Sequence, residues 1–226
     1  MNPVANVALL VVDVCGTLFF EDTTIGLLRH HFGKTKSRPL RHILFNLMTA
    51  RYSPMRLCLV VIEKLTSKHL LKHIVVGLLA GDRVEGLETS AIDYAEWLLN
   101  HGRIGSVWSV LNEEVQACQV ILASSSLEPI VAALAKSLGA SYVSSTLDEK
   151  DGVLTGCYGR DLTGCKEQAL VAKFGPSILQ KPMCVISDNL SDRSLLERAS
   201  HAYVVLRREH YRHRWQGLKA TFLTTN

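Results

Sequence analysis

The feature that most constrains this sequence is the alternation of short apolar runs with longer amphipathic stretches. Such alternation is typical of a parallel sheet wrapped by helices. The apolar runs are candidate strands, at residues 7–12, 119–123, 141–145, 183–187 and 202–206. We therefore predict an α/β fold, built on a doubly wound, Rossmann-like parallel sheet.

Helices are predicted between several of these strands. After the second run, Ser126 can cap a helix that continues at helical spacing until Gly139 ends it. A small hairpin is predicted at residues 146–156, with its turn at Asp151-Gly152. Two more helices are predicted, at residues 166–174 and 191–200.

One long segment interrupts the alternation. Between about residues 20 and 104, apolar residues recur at helical rather than strand spacing, as in Ile92, Ala95 and Leu98. We interpret this segment as an inserted α-helical cap domain. A chain of 226 residues can hold one full core and such an insertion. Two domains are predicted. The Rossmann-like core comprises residues 1–19 and 105–226, and the helical cap comprises residues 20–104.

Several features favour a cytoplasmic protein. The first apolar run follows no basic residue and stops at Asp13, so we expect neither a signal peptide nor a transmembrane start. The other uncharged apolar stretches are shorter than the roughly 20 residues that span a bilayer. Six cysteines are scattered without a CxxC pair, as expected in a reduced compartment.

Polar residues follow the apolar runs where a parallel sheet binds ligands, beyond the carboxyl ends of its strands. Asp13 ends the first run, Ser124 follows the second, and Asp188 follows the fourth, with Asp192 four residues later. A buried carboxylate is unfavourable unless something binds it, and hard oxygen ligands suit Mg²⁺. Lys166 at the start of a predicted helix suits a bound phosphate.

In this order, Asp13-x-x-Gly-Thr, Ser124, Lys166 and Asp188-x-x-x-Asp192 resemble the four motifs of the haloacid dehalogenase superfamily. The insertion after the first motif, with Leu122-Ala123-Ser124-Ser125-Ser126 and Gly164-Cys165-Lys166, resembles the phosphoserine-phosphatase-like branch, which carries a helical cap there. The resemblance spans nearly the whole chain.

The resemblance implies a role for each matching residue. Asp13 would be the nucleophile that forms an aspartyl-phosphate, and Ser124, Ser125 and Lys166 would hold the phosphoryl group. Mg²⁺ would be bound by Asp13, by the backbone carbonyl of Cys15 and by Asp188. Asp192 would support the metal or orient Lys166. Asp22 is a candidate contact to a small phosphorylated substrate.

Cys15 departs from the pattern, because the family's phosphatases have a second aspartate there that acts as general acid and base. A thiol with a pKa near 8.5 replaces it poorly, and loss of such a group typically removes about 10²- to 10⁴-fold of rate. We expect a slowed phosphomonoester phosphatase, or a phosphotransferase whose acceptor is not water. The alternative is a weak or inactive family member that binds a phosphorylated ligand or partner.

Basic residues are unevenly distributed. Residues 23–62 contain seven Lys or Arg and no Asp or Glu, together with apolar runs such as 57–62. This segment could accept an amphiphilic or lipid phosphate or rest on an anionic membrane, although a solvated basic face is the simpler interpretation. A second cluster contains Arg207, Arg208, Arg212 and Arg214, but a net charge of +4 does not favour a nucleic-acid partner.

Overall fold

The computed structural model describes residues 7–34, 39–50, 52–66, 70–114 and 118–225. These residues form one seven-stranded sheet, in the order β4-β3-β2-β1-β5-β6-β7. All neighbouring strands are parallel except β3 and β4, which form the predicted hairpin. The predicted α/β fold is confirmed. The strands are β1 (Leu9–Val12), β2 (Gln119–Leu127), β3 (Ser141–Lys150), β4 (Val153–Arg160), β5 (Met183–Ser187), β6 (His201–Leu206) and β7 (Thr221–Thr224).

The described residues also form nine α-helices, six of which lie between β1 and β2. The helices are α1 (Thr23–Lys34), α2 (Pro39–Thr49), α3 (Pro54–Thr66), α4 (Leu70–Gly77), α5 (Val84–His101), α6 (Gly105–Glu114), α7 (Glu128–Leu138), α8 (Lys166–Phe174) and α9 (Arg193–Arg198). We call α1–α5 the cap helices, and the predicted domain boundaries at residues 20 and 104 stay a prediction. Within the described ranges, no helix is long and apolar enough to cross a bilayer.

β1 is the buried centre of the sheet, and its side chains alternate between the two faces. Leu10 and Val12 pack into a core shared with the cap helices and α7. Leu9 and Val11 pack into a second core beneath α8 and α9. Because the strand order runs outward from β1 in both directions, the carboxyl end of β1 is the switch point at which such sheets bind ligands.

β2 differs from its prediction. The strand does not end near Ser124, because its register with β3 shifts between Ala123 and Leu127, so that a bulge carries it through Leu127. The prediction that Ser126 caps the next helix is wrong, since Leu127 is the N-cap of α7 and makes no side-chain cap bond. The bulge instead turns Ser126 inward, where its side chain is fully buried.

The carboxyl-terminal part of the chain also differs in detail. The helix predicted at 191–200 is divided into a 3-10 turn at Leu190–Asp192 and the short α9. β7 was not predicted, because a four-residue edge strand of sequence Thr-Phe-Leu-Thr has no distinctive pattern.

The hairpin of β3 and β4 is joined to the cap helices. Its turn has Asp151 and Gly152 at positive φ, at 54° and 74°, as the Asp-Gly pair predicted. The loop between α4 and α5 binds it through three backbone hydrogen bonds. Gly81 N donates to Leu154 O at 2.8 Å, Leu154 N to Asp82 O at 2.9 Å, and Val84 N to Gly152 O at 3.1 Å. We call these three bonds the clasp.

Candidate active site

Asp13 lies directly after β1, at the switch point. Its backbone N–H donates to Ile186 O at 2.9 Å, which continues the pairing with β5. Its Oδ1 accepts a hydrogen bond from Val14 N at 2.8 Å. The same oxygen forms an ion pair with Lys166 Nζ, also at 2.8 Å. Burial, together with the nearby carboxylates of Asp192 and Asp188, raises the pKa of Asp13 to about 7 despite Lys166.

Lys166 is the first residue of α8 and is only 4% exposed. Its Nζ also contacts Asp192 Oδ2 at 2.6 Å, and Ser187 Oγ donates to the same oxygen at 2.6 Å. Burial alone would lower the pKa of Lys166, but Asp13 and Asp192 outweigh it and raise the pKa. The lysine is therefore held as a cation next to Asp13. Of the two roles predicted for Asp192, these contacts favour the orientation of Lys166.

Asp188 follows β5 and is positioned by the Gly-Thr pair after Asp13. Thr17 Oγ1 accepts a hydrogen bond from Asp188 N at 3.0 Å and lies 3.3 Å from Asp188 Oδ1. On the other side, Arg207 Nε lies 3.7 Å from Asp188 Oδ2. Gly16 has a φ of 71°, and a Cβ there would overlap the Asp188 carboxylate, so this close approach requires glycine.

The donor set fits a hard divalent cation. Asp13, Asp188 and Asp192 bring three carboxylates against two cations, Lys166 and Arg207. Burial raises the pKa of Asp188 as well as that of Asp13, and the neighbouring carboxylate of Asp192 adds to the effect at both. In the described parts of the chain, no three His, Cys, Asp or Glu side chains are grouped as a metal site. The predicted set needs only two carboxylates and a backbone carbonyl, which is compatible with this finding.

A second cluster consists of hydroxyls and one thiol. Ser124 Oγ donates to Ser126 Oγ at 3.0 Å, and Ser126 Oγ lies 2.7 Å from Thr23 Oγ1. Cys15 Sγ is 2.9 Å from both Ser126 Oγ and Thr23 Oγ1, and it accepts from Thr23 N at 3.2 Å. The cluster joins the loop after β1, the bulge of β2 and the start of α1. Ser124, a predicted phosphate contact, is therefore fixed in place by its neighbours.

The thiol of Cys15 is poorly suited to act as a general acid or general base. The pKa of Cys15 is raised to about 11. Burial is the main cause, and the carboxylates of Asp22 and Asp13 add to it by more than Lys72 takes away. At neutral pH the side chain is therefore a neutral thiol. Its surroundings are rich in hydrogen-bond donors, which would suit a carboxylate better.

Two predicted residues, Ser125 and Asp22, contact the cap helices. Lys72 of α4 places its Nζ 3.4 Å from Ser125 Oγ, which adds a cation next to a predicted phosphate contact. Asp22 accepts from Thr24 N at 3.0 Å and Ile25 N at 3.1 Å, so its carboxylate caps α1. Asp22 also lines a cavity of about 300 Å³ with Arg29 and Arg56. A larger cavity of about 640 Å³, between α5 and α7, contains none of the predicted site residues.

Sequence reasoning missed the residues that support the site. Each of them contacts a candidate site residue, and they are Thr17, Thr23, Lys72, Ser126, Ser187 and Arg207. Arg207 could have been found by the reasoning that found Asp188, since it directly follows β6. Ser126 could not, because its inward direction depends on the bulge.

Fold and site together define a class of protein, an open, mostly parallel α/β sheet with a buried aspartate–lysine pair at its switch point. A family model described as haloacid dehalogenase-like hydrolase matches residues 10–197. The chain therefore belongs to the haloacid dehalogenase-like hydrolase family, as the four motifs predicted.

Solved structures share this fold at low sequence identity. A protein of unknown function from Bordetella pertussis Tohama I is 15% identical with a TM-score of 0.65, over 96% of this chain and 99% of that one. A phospho-aspartyl intermediate analogue of phosphoserine phosphatase is 16% identical with a TM-score of 0.55, over 96% and 93%. Cytosolic 5′-nucleotidase IIIB bound to cytidine is 14% identical with a TM-score of 0.58, over 96% and 80%. No curated protein sequence matches the chain.

Proposed function

We propose that this protein is a Mg²⁺-dependent phosphoryl-transfer enzyme that acts on a small phosphorylated substrate through an aspartyl-phosphate on Asp13. The observation that carries the proposal is the buried chain of contacts from Asp13 Oδ1 to Lys166 Nζ to Asp192 Oδ2, at 2.8 and 2.6 Å. A fold needs no such chain for stability, since buried ion pairs are weakly stabilising at best. Its position at the switch point favours a role in binding and catalysis.

In the first step, a carboxylate oxygen of Asp13 attacks phosphorus, and the bond from phosphorus to the substrate's ester oxygen breaks. The leaving alkoxide takes up a proton from water and departs as the alcohol. Lys166, Ser124 and Ser125 hold the phosphoryl oxygens, and Lys72 adds positive charge beside Ser125. A structurally similar phosphoserine phosphatase has been solved as a phospho-aspartyl intermediate analogue, which supports the proposal of such an intermediate.

Mg²⁺ would be held by Asp13, Asp188 and the backbone carbonyl of Cys15. When bound, it would neutralise charge on the phosphoryl oxygens. It would also offset the repulsion from Asp192 and Asp188, which adds to burial in raising the pKa of Asp13. Arg207 and Thr17 would keep Asp188 in position.

In the second step, an acceptor attacks phosphorus, the bond to Asp13 breaks and the acceptor loses a proton. Cys15, with a pKa raised to about 11, is a neutral thiol at physiological pH and cannot take that proton efficiently. The aspartyl-phosphate would therefore be long-lived towards water. This supports either a slow phosphatase or a phosphotransferase with a better nucleophile as acceptor. The cytoplasmic location stays a prediction from the sequence.

A direct test is incubation of the protein with Mg²⁺ and acetyl phosphate, followed by intact-mass and peptide mass spectrometry. We expect one phosphate adduct, located on Asp13, that decays slowly after the donor is removed. Asp13→Asn should form none, whereas Asp22→Asn should still form it, because Asp22 caps α1 and is not among the groups proposed to hold the phosphoryl oxygens. An Asp13→Asn variant that still transfers phosphate would refute the proposal.

The second candidate is a binding protein, in which the same pocket holds a phosphorylated ligand or partner without turnover. Cys15 is the observation that favours it. The adduct experiment separates the two functions, because a binder takes up no covalent phosphate. A panel of amino-acid, sugar and nucleotide monophosphates that shifts the melting temperature without phosphate release would then support the binder.

A further inference from the structure

The cap helices α2 and α3 expose an unusual number of large apolar side chains. Eight of the thirteen exposed large hydrophobics in the described part of the chain lie between residues 40 and 62. They are Leu40, Ile43, Leu47, Tyr52, Met55, Leu57, Val61 and Ile62. Single exposed apolar residues are ordinary, but a concentration on two adjoining helices marks a surface that contacts something apolar.

These residues follow helical spacing, so they form faces rather than scattered positions. Leu40, Ile43 and Leu47 repeat every three to four residues along α2, and their exposed fractions are 66%, 56% and 48%. α3 exposes Leu57 and Val61 four residues apart, each more than half exposed. An ordinary solvated basic face, the simpler interpretation of the sequence, would present polar side chains here.

The charge of the same segment indicates what it contacts. Residues 23–62 carry seven positive charges and no negative one, while the whole chain is +4, so the remaining residues are net negative by three. Among the described cations of this segment, Lys34 pairs with Asp93 and Arg41 with Asp82. Since residues 23–62 hold no Asp or Glu to offset their positive charge, the segment is suited to an external anion.

We propose that α2 and α3 dock the protein on an anionic lipid bilayer. Aliphatic side chains would enter the boundary between head groups and acyl chains, and the lysines and arginines of the segment would attract the anionic head groups. Tyr52, 83% exposed in the turn between the two helices, is a residue type that anchors at that boundary. The proposal concerns attachment only, and it does not depend on whether Asp13 transfers phosphate.

The test is sedimentation with vesicles of phosphatidylglycerol and phosphatidylcholine in equal parts, and with vesicles of phosphatidylcholine alone. We expect binding to the anionic vesicles at low salt, weaker binding at high salt, and little binding to the neutral vesicles. Sedimentation velocity without lipid, run in parallel, reports whether the protein is a monomer.

A matched pair of double variants locates the surface. Ile43→Glu with Val61→Glu should lower the fraction bound to anionic vesicles by at least about tenfold, since each change removes an inserting side chain and adds a repelled charge. Ile92→Glu with Val153→Glu makes the same chemical change at exposed positions outside α2 and α3 and should change binding less than about twofold. Circular-dichroism melting curves verify that both variants fold.

Three results would overturn the proposal. They are absence of wild-type binding to anionic vesicles, equal loss of binding in the two double variants, and a wild-type dimer that the first variant alone converts to monomer without any vesicle binding. The last result would assign the surface to a second copy of this chain. If the first variant does not fold, Leu57→Ser alone, a neutral change at a 57% exposed site, replaces it against Ile92→Ser.

Discussion

Replacement of Asp13 by Asn should change the pH dependence of stability as well as abolish phosphoryl transfer. The folded protein raises the pKa of Asp13 from 3.8 to about 7. Between these values the folded state binds a proton that the unfolded state has released. The contribution of Asp13 to wild-type stability therefore falls as pH rises from about 4 to about 7, and this loss persists above pH 7.

The size of the effect follows from the shift. A shift of about three pKa units corresponds to roughly 4 kcal/mol of lost stability at high pH, and roughly 2–3 kcal/mol of this falls between about pH 5 and pH 8. Asp13→Asn removes this loss. The attraction between Lys166 and the ionised carboxylate is already contained in the pKa of Asp13, so it is not counted a second time.

The assay is urea unfolding of wild type and Asp13→Asn with EDTA present, at about pH 5 and about pH 8. Relative to wild type, the variant should gain roughly 2–3 kcal/mol of unfolding free energy over that interval. Asp22→Asn serves as control, because it removes an exposed carboxylate and leaves an equally good N-cap residue. Parallel pH profiles for wild type and Asp13→Asn would refute the reasoning.

The same unfolding experiment can be repeated with Mg²⁺ in place of EDTA. If the cation binds beside Asp13 and Asp188, saturating Mg²⁺ should restore wild-type stability at high pH, by roughly 2.7 kcal/mol at a hundredfold excess over the Kd. Asp13→Asn should respond less, because it lacks one of the two carboxylate ligands. Equal responses of the two proteins would place the cation elsewhere.

Three further predictions concern the residues around Asp13. Cys15→Asp should raise the rate of phosphate release by about 10²- to 10⁴-fold while Cys15→Ala stays at the wild-type rate, and steady-state phosphate assays that show no increase would mean that water is not the acceptor. Gly16→Ala should lower the unfolding free energy by at least about 1 kcal/mol in urea titrations, because its φ is positive and a Cβ meets Asp188, whereas Gly105→Ala has open space and should be neutral. Lys72→Met should lower kcat/KM for a phosphomonoester by about tenfold or more, and unchanged kinetics would place its ammonium group away from the substrate.

The sequence was sufficient for six of the seven strands and for the positions of Asp13, Lys166 and Asp188. Asp13 and Asp188 follow buried strands, and Lys166 begins a helix, so alternation and strand ends place all three at one edge of a parallel sheet. Local pattern is informative here because β1 and β5 are uniformly apolar and are followed at once by a charge. The structure then brings Lys166 within 2.8 Å of Asp13.

The hydroxyl cluster could not be predicted in the same way. Ser126 has a good local role as a helix cap, and only the register shift against β3, a strand that begins some 15 residues later, turns it towards Cys15. Pairing between strands is a long-range property, and a serine carries no apolar pattern to reveal it. The exposed faces of α2 and α3 are similar, since helical spacing shows that a face is apolar but not that it lies outside.

The clasp between the hairpin and the loop that joins α4 to α5 sets a population balance for the protein. Each of its three backbone bonds has a net worth of about 1 kcal/mol, so breaking all three costs roughly 3 kcal/mol. The state with the clasp broken would then account for about one molecule in every 100 to 200. A substrate too large to reach Asp13 past the clasped cap helices would bind only that minority, and its apparent affinity would be weakened by the same factor. Hydrogen exchange at the amides of Gly81, Leu154 and Val84 measures this fraction directly.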